Sequence, residues 1–146
     1  MAYRHLRVCL WCLLPALAVC GCAGPMSVAE RLASDDPRLR ADAAYELGTA
    51  DHREAEVPLI HLLADEDEGV RFFAAAALYR RTKERFGYQP QGELRARAGA
   101  VRRWVDWYVA LHPGAEDKFR DLDPWFEALG VEASQDDARP KAEGER

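Results

Sequence analysis

The 146-residue chain carries 20 Lys and Arg against 25 Asp and Glu, a formal net charge of −5. That balance excludes a dedicated nucleic-acid binder, which needs clustered positive charge to meet phosphate. An apolar content of 49% excludes a wholly disordered chain, and plentiful alanine with sparse Val, Ile and Thr favours helices over strands.

Arg4, His5 and Arg7 open the chain with positive charge, and an apolar run follows over residues 8–19. A transmembrane helix needs about 20 apolar residues. This run is shorter, and Pro15 sits inside it. A basic start, a short apolar core and then small residues is the order of a secretory signal peptide. Val19-Cys20-Gly21-Cys22 resembles a bacterial lipobox: an aliphatic residue three before the cysteine, a small residue before it, then the cysteine. Cys20 departs from the Ala or Ser more usual at its place. The resemblance implies that residues 1–21 are removed and that Cys22 becomes a lipidated first residue, held to the membrane by acyl chains such as palmitate. Ala23, standing where an inner-membrane lipoprotein carries Asp, implies the outer membrane of a bacterial envelope. Cleavage near Ala23 or Gly24 without lipid, and an uncleaved anchor, are the alternatives. All four cysteines lie within the first 22 residues, so the rest of the chain has no thiols for a disulfide framework. Residues 22–27 form a tether.

Self-comparison then shows a repeat. Residues 32–40 lie over residues 63–71 at an offset of 31, and the match continues through Ala43/Ala74, Ala44/Ala75 and Leu47/Leu78. Each unit reads as a helix, an acidic turn and a second helix. Ser27 and Glu30 form a capping box that opens a short helix over residues 28–33. Asp36-Pro37 places an N-cap before a proline, opening a second helix to residue 47 with Gly48 as its stop. A turn about residues 51–56 leads to a helix over 57–64, since Pro58 disfavours an earlier start. Asp67 caps a helix over 69–83, with Val70, Phe73, Ala74, Ala77 and Leu78 as its apolar stripe. The alanines allow close stacking.

The acidic turn, the aliphatic-Arg pairs Leu39-Arg40 and Val70-Arg71, the paired alanines and the closing leucine resemble HEAT repeats. The short bacterial form related to phycobilin-lyase repeats is the nearest in pattern. The resemblance implies that Asp36, Arg40, Asp67 and Arg71 are structural and tie neighbouring repeats together. It also implies a protein-binding surface, with a lyase-like bilin enzyme as the remoter alternative.

Phe86-Gly87-Tyr88-Gln89-Pro90 interrupts the helical pattern as a packed loop. A longer helix over 93–111 follows, with Leu94, Ala98, Val101, Trp104, Val105 and Tyr108 on its apolar face. Asp123-Pro124 starts one more turn carrying Trp125, Phe126 and Leu129. A repeat stack needs an atypical terminal element over its exposed end, so residues 84–130 read as a cap. Residues 131–146 are nearly devoid of apolar side chains other than alanine and read as a disordered tail.

The fold class that follows is all-α: a HEAT-like α-solenoid of two helical-hairpin repeats, residues 28–83, with a C-terminal helical cap. No nucleophile elbow, phosphate-cradling loop or metal-ligand spacing is present, so no catalytic residue, cofactor, metal or small-molecule substrate is expected. The acidic run Asp65–Glu68 lacks the alternating ligands and central glycine of a calcium loop. His61 reads as a boundary histidine. The remaining expectation is a scaffold or adaptor in the envelope, with a purely structural lipoprotein as the rival. Arg38, Asp42, Tyr45, Phe72, Tyr79 and Arg80, off the core stripe of the second helices, are the candidate contacts for an unidentified protein partner.

Overall fold

The computed structural model describes residues 24–52 and 54–132. The expected signal segment, Cys22 and the tail beyond residue 132 lie outside these residues. Ser27 accepts a hydrogen bond from the Glu30 amide at 3.2 Å, and its own amide donates to the Glu30 carboxylate at 2.7 Å. This reciprocal cap opens α1 (Val28–Leu32) and holds the Glu30 carboxyl below its ordinary range. Asp36 accepts from the Arg38 amide and Pro37 takes the first position of α2 (Pro37–Thr49). α3 (Glu56–Leu62) follows a turn in which Glu54 has a φ of 57°. Pro58 is its third residue, so the missing amide falls in the first turn and no ladder bond is lost. Asp67 caps α4 (Glu68–Thr82), and Lys83, at a φ of 64°, closes it in the left-handed conformation.

α1 packs on α2 and α3 on α4, giving two hairpins, and α2 runs along α4 as the main seam between them. Ala43, Ala44 and Leu47 of α2 are buried, as are Val70, Ala74, Ala77 and Leu78 of α4. Phe73, expected in this stripe, is 40% exposed; Arg71 takes the buried place beside Val70 instead. Gly48 is not the stop that the sequence predicted. The helix continues to Thr49, and a Cβ at position 48 would stand 2.6 Å from the Cβ of Ala77 and 2.9 Å from its Cα. The glycine is required by backbone approach.

Two arginines at the repeat offset fix the turns. Arg40 donates through Nη1 to the carbonyls of Ser34 and Asp35, at 2.9 and 3.1 Å. Arg71 donates through Nη1 to the corresponding carbonyls of Asp65 and Glu66, at 2.9 and 2.7 Å. The outer edge of each guanidinium reaches forward. Arg40 pairs with both oxygens of Asp65 in the next turn, at 2.7 and 2.9 Å, while Arg71 donates through Nε to the Pro90 carbonyl at 2.9 Å. The bond from Asp65 pushes the Arg40 guanidinium still higher. Arg40 thus ties the first repeat to the second and Arg71 ties the second to the segment after it, whereas Asp36 and Asp67 cross to neither. Each caps its own helix, and the acid that crosses between repeats is Asp65.

Residues 84–93 return along α4 from its C-terminal to its N-terminal end, tied by the Tyr88 hydroxyl to the Leu63 carbonyl at 2.6 Å. α5 (Leu94–Leu111) then packs on α3, not along α4. Ala98, Val101, Trp104, Val105 and Tyr108 are buried as the spacing predicts, and Ala100 and Trp107 join them. Leu94 is 46% exposed, so the buried face begins one turn later than expected. Phe86 meets Trp104 edge-on at 4.7 Å, and Arg103 donates twice to the Phe86 carbonyl. A 3₁₀ helix (Glu116–Leu122), absent from the sequence reading, seats Phe119 and Leu122 in the core before α6 (Asp123–Ala128). His61 bridges to it: Nδ1 bonds the Val57 carbonyl, Nε2 lies 3.0 Å from Asp121, and the ring stacks on Phe119. Val131 still packs on the core. The described residues form an all-α, solenoid-like fold.

Gly48→Ala tests the seam. Helix propensity alone favours alanine by about 1 kcal/mol, but overpacking costs about 1–3 kcal/mol. A net loss of stability in urea denaturation is expected, and a gain would mean that α2 and α4 stand further apart. Asp65→Ala tests the inter-repeat tie. It removes the two charge-assisted bonds of the Arg40 guanidinium and leaves Glu66, at 3.9 Å, as the remaining counter-charge, an expected loss of about 2 kcal/mol in the same measurement.

Candidate partner-binding groove

α4 presents to the outside the side chains at spacing i, i+3, i+4, i+7 from Phe72: Phe72, Ala75, Ala76 and Tyr79. The segment 84–93, returning past this face, forms the opposite wall with Tyr88, Gln89, Pro90 and Gln91. Trp104 reaches the floor from α5. The result is a groove of about 730 Å³. Phe72 is 58% exposed and meets Phe73 edge-on at 5.8 Å. It faces away from the core stripe, as the sequence implied, and lines the groove across from residues 88–91.

One end of the groove is basic. Arg80 in the last turn of α4 and Lys83 and Arg85 just beyond it gather there. The Arg85 guanidinium lies 4.1 Å from the centre of the Tyr79 ring, a cation–π contact that holds the ring in place, and the Lys83 ammonium lies 5.9 Å from it. None of the three makes an ion pair with a carboxylate among the described residues. In a chain with an excess of acid, an unpaired basic cluster beside exposed aromatic rings is a local reversal of charge.

The six residues marked by sequence for partner contact separate into two groups. Phe72, Tyr79 and Arg80 come together in the groove. Arg38, Asp42 and Tyr45 lie exposed on α2, outside it. Sequence reasoning missed Lys83, Arg85 and the 88–91 wall, because nothing local signals that the chain after α4 doubles back along it. The acidic turn is consumed by structure: Asp65 serves Arg40 and the Asp67 amide, and Asp67 serves the Val70 amide. Among the described residues, no group of three or more His, Cys, Asp or Glu is placed to hold a metal ion, and no helix is long and apolar enough to cross a membrane.

Residues 26–89 match the family model described as HEAT repeats. That span covers both hairpins and the first part of the returning segment, so the two units are similar in sequence to HEAT repeats. No curated protein and no solved structure shows a significant match to the chain. HEAT repeats generally mediate protein–protein interaction.

Tyr88 reports on the integrity of the groove wall. Burial pushes its phenol above the ordinary value. The folded chain therefore holds this proton more tightly than the unfolded chain does. Its contribution to stability is full below the unfolded value, about pH 10, and is lost as pH rises through the higher folded value. Unfolding free energy is expected to decline above about pH 10, and Tyr88→Phe is expected to flatten that decline while weakening the fold through loss of the bond to Leu63.

Proposed function

We propose that the chain is a membrane-tethered HEAT-repeat adaptor of the bacterial envelope, anchored by acyl chains on Cys22, that binds a protein partner through the groove along α4. The observation that carries the binding half is the exposed aromatic pair Phe72 and Tyr79 beside an unpaired basic cluster. Large aromatic and arginine side chains in a concave setting are the residues on which protein interfaces concentrate their energy. The basic start, short apolar core and lipobox-like Val19–Cys22 of the sequence support the tether. Acyl chains contribute about 0.8 kcal/mol per buried CH₂, and more than one chain gives stable attachment.

Four residues, 23–26, separate Cys22 from the Ser27 cap, a reach of roughly 14 Å when extended. The repeats would then ride close to the bilayer and meet membrane-proximal partners. The acidic net charge gives no attraction to anionic lipid, which leaves attachment to the acyl chains.

The two halves are tested separately. Cys22→Ser is expected to abolish acyl labelling and to move the chain out of the membrane fraction; unchanged labelling and fractionation would remove the lipoprotein reading. In crosslinking capture from native membranes, Phe72→Ala and Tyr79→Ala are each expected to lose the bound partner, while Tyr45→Ala keeps it. Equal loss in all three would point to diffuse packing in place of a discrete recognition surface.

A further inference from the structure

The two repeats say what kind of element covers the groove. At the repeat offset, Phe72, Ala75 and Tyr79 of α4 correspond to Ala41, Ala44 and Gly48 of α2. Those three α2 residues face α4: Ala44 is fully buried, Ala41 packs against the core, and Gly48 lies against Ala77. The surface that α4 turns outward is therefore the one that, in α2, a following helix covers. In this chain no such helix arrives among the described residues, because α5 packs on α3 instead.

We infer that the groove receives an amphipathic α-helix of another protein, about three turns long, docked parallel to α4 in the position of a third repeat's second helix, with carboxylates in its C-terminal turn. This rests on the adaptor reading and names the chemistry of the partner. The length follows from the span from Phe72 to Lys83, about 16 Å at 1.5 Å per residue. Replacement of Ala41 and Gly48 by Phe72 and Tyr79 holds the incoming helix further off than α4 stands from α2 and supplies aromatic anchors at both ends of the groove.

The direction follows from charge. Arg81 of α4 already attends the C-terminal end of α2, donating to the Leu47 and Ala50 carbonyls at 3.3 Å each and to the His52 carbonyl at 3.0 Å. In the repeats the later helix supplies the cation to the end of the earlier one. Here the cations stand on the earlier side instead, since Arg80 and Arg85, with Lys83 on the Arg80 carbonyl, line the end of the groove beside which a parallel helix sets its C-terminal turn. Cations favour the negative end of a helix, and acidic residues there add ion pairs.

The test uses the full chain in detergent and two fluorescein-labelled synthetic peptides of identical composition. Both are alanine–leucine amphipathic helices; one carries its glutamates in the last turn, the other in the first. In anisotropy titrations the first peptide is expected to bind about tenfold more tightly, a difference of about 1.4 kcal/mol. The preference shrinks as salt rises. Arg80→Glu combined with Arg85→Glu erases it, Arg80→Gln with Arg85→Gln reduces it, and Phe72→Ala weakens both peptides, with circular dichroism showing each variant folded. Equal affinity of the two peptides, binding of neither, or a preference that survives the double charge reversal overturns the inference. So does light scattering that shows the chain dimeric through Phe72, which would assign the groove to a second copy. Failure of the peptides while Phe72→Ala still loses the captured membrane partner overturns the helix and leaves the adaptor reading standing. Failure of both removes the two together.

Discussion

Each guanidinium of Arg40 and Arg71 bonds the same two carbonyls of its own turn and then reaches out to the next structural unit. The rest of the architecture depends on this pair. The turn between the helices of a hairpin leaves carbonyls that no helix satisfies, and burying them unpaired costs free energy. The arginine meets that need and spends its remaining donors on the neighbour. The turn's closure and the stacking of units thereby become one event. Charge-assisted, bidentate geometry gives the contact an orientation that apolar packing alone does not supply. The small residues then set the distance, Gly48 against Ala77, and the arginines set the register.

Much of this was legible in the sequence. The offset of 31 residues placed both hairpins, and the capping box at Ser27, the Asp36-Pro37 start and the Asp67 cap fell where the helices begin. What was not legible shares one physical cause. Gly48 reads locally as a helix stop, and only the approach of α4 from another part of the chain makes it a contact residue. Phe73 fits the helical stripe by spacing, yet the buried arc is narrower, because Arg71 occupies part of it with its hydrogen bonds satisfied. The crossing acid was placed at the N-cap positions, although geometry gives that task to Asp65, two residues earlier.

The groove was half legible. Phe72, Tyr79 and Arg80 stand off the core stripe of a single helix, and helical spacing finds them. The opposite wall depends on the path of residues 84–93, which carry no periodic signal. That segment is held by tertiary bonds: the Tyr88 hydroxyl on Leu63, Arg71 on Pro90, and Arg103 on Phe86. Phe86 adopts a φ of 45° there, a conformation that the two hydrogen bonds from Arg103 to its carbonyl and the edge-on Trp104 hold in place.

The forward edge of Arg40 grips a carboxylate, whereas that of Arg71 grips a backbone carbonyl. A carbonyl is available whatever the side chain, so the last arginine needs no dedicated acid in the segment that follows. The second unit therefore supplies both the acid that the first unit's arginine grips and an arginine whose own acceptor is plain backbone, so the closing end of the pair is fixed by the path of the chain and tolerates side-chain change at residue 90.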